Sequence, residues 1–175
     1  MPFTAEVDLM VPEQVDTNSV YHVDSGILTS SIFGFYEPSS ETSTSYATGS
    51  PVADIQVHIE KPTSGGKDGK FVVKSATVLF TAISSDTIVV LYDNQKWTLA
   101  VSVKPIDYPF TDTVSGSRDP ATYVLDFYGV HYVQDELINS FSVTGTINAP
   151  EGRALLLNKK KFYAGAKRTN YTGSI

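Results

Sequence analysis

By residue type, acid–base or metal chemistry in this chain would fall to three histidines, His22, His58 and His131. Each sits in a run of β-forming residues, far from the other two in sequence. Without cysteine or close ligand spacing they do not form a metal-binding pattern, so each is expected to be an ordinary strand histidine and no cofactor is expected. The stretch "HYVQDE" sets His131 four residues before Asp135 and five before Glu136. A histidine held by a carboxylate can act as a general base. It would need a nucleophile, and neither a G-x-S-x-G elbow nor an H-E-x-x-H helix is present.

Other oxygen-rich or glycine-rich stretches fail their patterns for stated reasons. "DTNSVYHVDSG" (16–26) resembles a calcium loop in its oxygen content. However, Tyr21 stands where that loop needs glycine and Ile27 where it needs glutamate. "TSGGKDGK" (63–70) lacks the phosphate-loop order and is read as a solvated turn. "NYT" (170–172) matches a glycosylation sequon of only three residues, with no leader-like stretch at residues 1–14 to accompany it.

Aromatic rings offer a second kind of chemistry. Tyr36, Tyr46, Trp97, Tyr108, Phe110, Tyr163 and Tyr171 lie in or beside expected loops, where rings can stack on sugars or protein surfaces. A lectin-like carbohydrate-binding module would use Tyr46, Tyr108 and Phe110. Trp97 begins a strand and is expected in the core. Tyr46 and Tyr171, in polar surroundings, are expected to be exposed.

Charge supplies a third signal. Residues 1–60 hold nine acids and no Lys or Arg, whereas residues 151–175 hold six basic residues and one acid, in a chain of net charge -6. The basic residues include Lys159, Lys160, Lys161, Lys167 and Arg168, interleaved with Phe162, Tyr163 and Tyr171. Basic–aromatic interleaving can bind nucleic acid. The acidic total and a pI near 4.9 oppose phosphate, so nucleic acid is not an expected partner. A polarised chain can instead pair its basic end with an acidic surface, either its own or a neighbouring copy's.

The elements that must position these residues are strands. Val, Thr, Tyr, Phe and Ser abound, and strong helix formers are scarce. "FTAEVDLMV" alternates perfectly, with Phe3, Ala5, Val7, Leu9 and Val11 on one face. Further strands are expected at 19–23, 27–36 and 52–60. Residues 70–83 read as one long strand or two, forming an extended hairpin with 52–60. Residues 87–103 read as a hairpin reversing at 93–96. Residues 121–133 read as a strand with a bulge at Gly129, 134–140 as the only helical stretch, and 141–147 and 153–158 as the last strands. Residues 37–51, rich in Ser and Thr, read as a long exposed loop. No run is long and apolar enough to span a bilayer, so no membrane partner is expected.

The expectation is an all-β antiparallel β-sandwich, jelly-roll-like or a partly closed barrel, with long polar loops and extended terminal arms. Residues 1–158 form the sandwich and 159–175 a basic C-terminal arm. The expected function is a non-enzymatic structural subunit of a large symmetric assembly. A phage or viral virion component is the setting, as a capsid decoration, tail or connector protein. Its expected contacts to other copies and other assembly proteins are Lys159, Lys160, Lys161, Lys167, Arg168, Tyr163, Tyr171 and Tyr46. Carbohydrate binding is the alternative.

Overall fold

In a computed structural model the described residues are 2–11, 29–36, 54–62, 67–75, 80–85, 89–108 and 122–165. They form two antiparallel sheets packed face to face without closing on each other, so the fold is a sandwich and not a barrel. One sheet has the order β1 (Phe3–Met10), β7 (Lys96–Pro105), β8 (Thr122–Val133), β9 (Glu136–Asn148). The other runs β10 (Lys161–Ala164), β2 (Thr29–Tyr36), β3 (Asp54–Glu60), β4 (Asp68–Lys74), β5 (Ile83–Ser84), with β6 (Val89–Val90) also on β4. Among the described residues one helix, α1 (Ala149–Leu157), follows β9.

Side-chain alternation builds the interior. In β1, Phe3, Ala5, Val7 and Leu9 turn inward while Thr4, Glu6, Asp8 and Met10 are exposed, as the period of two requires. In β7, Trp97, Leu99, Val101, Val103 and Pro105 are all buried. Facing them from the second sheet are Phe33, Phe35, Ile55, Val57, Phe71 and Val73. Each such burial contributes about 1.5–3 kcal/mol. Strand β3 departs from simple alternation: Asp54 and His58 are buried along with Ile55, Val57 and Ile59. Both of its faces are sheltered.

Several expected elements are corrected. The 52–60 strand does pair with the one beginning near 70, through Gln56↔Lys74 to Glu60↔Lys70. However, β4 stops at Lys74, and β5 returns antiparallel onto Val72 and Val73. The two halves of 87–103 are not a hairpin. Strand β6 pairs with Asp68 and Gly69 in one sheet, whereas β7 pairs with β1 and β8 in the other. The reversal at 93–96 is real, with Asn94 at φ 61 and the Gln95 amide donating to Asp93 Oδ1 at 3.0 Å, but it carries the chain between layers.

The stretch 134–140 is strand, not helix. Gln134 and Asp135 at φ 50 and 65 make a two-residue hairpin turn, and β9 starts at Glu136. The bulge lies between His131 and Tyr132 rather than at Gly129, which holds regular register. Residues 153–157 belong to α1, and Asn158 is its C-cap. Pro150 suits its first turn, and Ala and Leu favour helix once the chain leaves the sheet. A short apolar run carries no periodicity that separates helix from strand.

The first part of the basic segment folds back onto the sandwich. β10 pairs with β2 from Lys161↔Tyr36 to Ala164↔Phe33, and Phe162 stacks on Phe33 at 5.8 Å. The boundary expected at 158 therefore falls three residues before an edge strand of the second sheet. The strand expected at 19–23 and the loop expected at 37–51 lie outside the described residues.

Candidate interaction surface

The described cationic and aromatic residues singled out by sequence take different roles. Lys159 is exposed. Lys160 turns inward: its ammonium donates to the Asn158 carbonyl at 2.9 Å and the Leu156 carbonyl at 3.4 Å, and lies 5.3 Å from the Phe3 ring centre. It thereby caps the negative end of α1. Lys161 is exposed on β10, and Tyr163 is half-buried opposite Gly34. Tyr46, Lys167, Arg168 and Tyr171 lie outside the described residues, as do His22 and Phe110. Tyr108 is exposed in the turn after β7, its amide donating to the Pro105 carbonyl.

The histidines are separated by the fold. His58 is buried in the second sheet, 3.5 Å from Glu60 Oε1, and Glu60 also meets Lys70 and Lys74. His131 lies in the first sheet with its ring stacked on Trp97 at 4.6 Å. The carboxylate beside it is Asp93, at 3.7 Å, and not Asp135 or Glu136. Asp135 sits in the tight turn, and Glu136 opens the next strand beyond it. Among the described residues no group of three or more metal-ligating side chains comes together, and no described helix is long and apolar enough to cross a membrane. Lys61 is buried over the Tyr92 ring at 4.8 Å, and burial pushes its pKa below the ordinary lysine value.

The outer face of the first sheet carries the surface that sequence reasoning missed. Register aligns Thr4, Ser102, Asp126 and Thr144 in one rung, and Met10, Lys96, Tyr132 and Leu137 in another. Two ion pairs lie on this face. Asp8 pairs with Lys96 at 2.6 Å and accepts from the Thr98 hydroxyl, contacts that hold its carboxyl below the usual range. Asp126 pairs with Lys104 at 2.8 Å and accepts from Thr144 at 2.8 Å. Burial alone would raise the Asp126 carboxyl, but the ammonium and hydroxyl outweigh it and lower it.

An Asp126→Asn change removes the charge from this buried contact and is expected to cost about 1–3 kcal/mol. A carboxyl lowered in the fold contributes stability above its unfolded pKa of about 3.9, and that contribution is lost as pH falls toward the folded value. Urea unfolding of both proteins at pH 7 and pH 3 checks this. The gap between them should narrow at the lower pH.

Beside these ion pairs, apolar residues stand out. At the tip of the β8–β9 hairpin Leu137 and Ile138 are 52 % and 55 % exposed, and Leu137 shares a rung with exposed Tyr132 and Met10. Tyr128 is exposed two steps of alternation away from Tyr132 along β8, with Val130 between them. The sequence held a signal for the two tyrosines: in "DFYGVHYV" alternation sets Tyr128, Val130 and Tyr132 opposite the core residues. Reading 134–140 as helical hid Leu137 and Ile138. Comparison of the chain with protein-family models, curated proteins and solved structures finds no match.

Proposed function

We propose that this protein is a non-enzymatic structural subunit that works by binding other copies of itself and other assembly proteins. The observation that supports this most is the apolar tip formed by Tyr132, Leu137 and Ile138. A two-residue turn sets it at the end of a hairpin whose strands are 12 and 13 residues long. Exposed apolar groups of this kind mark contact surfaces, and burying each side chain at a contact contributes about 1.5–3 kcal/mol. Within this reading a phage or viral particle, with the protein as decoration, tail or connector component, is the setting suggested by an all-β chain with polar loops and polarised charge.

Light scattering of the native protein at low and high salt tests the proposal. Assembly at micromolar concentration is expected, and Leu137→Lys with Ile138→Lys should dissolve it while leaving the β circular-dichroism spectrum intact. Persistence at high salt assigns the contact to the apolar tip. Loss at high salt assigns it to the basic segment, whose contribution is then measured by truncation after Gly165, since a cut at 158 would strip β2 of its partner β10. A native protein that stays monomeric and does not co-sediment with particles would overturn the proposal.

A further inference from the structure

We propose, building on the assembly reading, that β9 of one copy pairs antiparallel with β9 of a second copy across a two-fold axis. The two four-stranded sheets then become one continuous sheet of eight strands. β9 is the last strand of its sheet and, at 13 residues, the longest in the fold. Its hydrogen-bonding partner is β8, and among the described residues no strand is hydrogen-bonded to its other side, while Ile83 of β5 packs at Gly145. A row of unpaired backbone donors and acceptors is a template for another strand.

The other edges carry the usual protections. β1 displays Glu6 and Asp8. β10 has four residues and follows directly on Lys159 and Lys160. β5 and β6 have two residues each. From Leu137 to Asn148, β9 has no charged residue and no proline. Short length, charge and proline are among the devices that keep edges apart, and beyond its charged first residue and the bulge near its start β9 has none of them.

The same features select a second copy as the occupant. A strand paired with its own reverse sets each side chain near its own kind at the axis, where any charge would repel itself. β9 brings hydroxyls to its outer face, with Ser140 and Ser142 exposed there, and hydroxyl pairs across strands are favourable. On its inner face Phe141 and Val143 stay only half-buried at the open side of the sandwich. The same residues of a second copy would cover them. Inner and outer faces of the two copies coincide only when residues of the same parity oppose. The axis therefore passes between one residue and its own copy, and Ser142, exposed at the middle of the uncharged run, is that residue.

The chain has no cysteine, so a single introduced one reports this contact cleanly. Under mild oxidation Ser142→Cys should yield covalent dimers. Ala100→Cys, on the same rung but two strands inward, should yield none. In sedimentation velocity, Ser140→Lys with Ser142→Lys should weaken dimerisation at least about tenfold with an unchanged circular-dichroism spectrum. An assembled native protein that the lysine pair leaves intact and Ser142→Cys fails to crosslink overturns the strand pairing, while the assembly reading stands on the Leu137 and Ile138 variant. A native protein monomeric at every concentration overturns both.

Discussion

Replacing Trp97 with alanine is expected to lower folding stability by about 3–5 kcal/mol. The side chain is wholly buried and sits on the inner rung Leu9–Trp97–His131–Asn139. Its ring stacks on His131 at 4.6 Å and an interplanar angle of 12°, and meets the edge of Phe71 at 5.0 Å. It therefore joins the two sheets, since Phe71 belongs to β4 and His131 to β8. Removing it leaves a cavity that rigid strands on both sides cannot close. For a chain of this size each kcal/mol shifts the melting temperature by about 2–4 °C, so a fall on the order of 10 °C should be seen by circular dichroism. Trp97→Phe keeps the contact to Phe71 and should recover part of the loss. A fall smaller than about 1 kcal/mol in the alanine variant would show that the two sheets do not depend on this ring.

A Gly129→Val substitution should cost about 3 kcal/mol, an overpacking penalty at the upper end of the usual range. Gly129 opposes Phe141 across the β8–β9 pair. A Cβ at position 129 would stand 2.1 Å from Phe141 Cε1 and 2.5 Å from its Cζ. The ring cannot swing aside cheaply, because it also packs on Phe71 at 5.9 Å and on Phe127 at 5.0 Å. The glycine is thus needed for close approach and not for unusual backbone geometry. Phe141→Ala in the Gly129→Val background removes the clash, so urea denaturation of the four proteins should show strong sub-additivity. Additive losses would mean that the valine is accommodated elsewhere. Since Phe141 sits on β9, a displaced ring also disturbs the edge strand, and the Gly129→Val protein should dimerise less well than the native one.

The candidate surface was only partly legible in the sequence. The basic run at 159–161 stood out because charge is visible residue by residue. The fold divides its roles: Lys160 caps α1, Lys161 joins an edge strand, and Lys159 is exposed. Tyr132 and Leu137 become neighbours because a turn with two positive-φ residues, neither of them glycine, reverses the chain between them. Gln134 and Asp135 give a weak signal for that turn, since Asn-Gly or Asp-Gly is the usual pair. His131 paired with Asp93 across 38 positions of chain, a contact that nearness in sequence to Asp135 could not reveal.

The sequence alone determined which residues face the core along β1, the burial of Trp97 and the all-β class. Alternation is a property of adjacent residues, and the pleat converts it directly into two faces. Only the tertiary structure decided the partners. It sent β6 and β7 to different sheets, made 153–157 helix and 136–140 strand, and folded Lys161–Ala164 onto β2. It also left β9 at an edge. These outcomes depend on which distant segments gain most by burying their apolar faces together, a free energy shared between segments and written in neither of them singly.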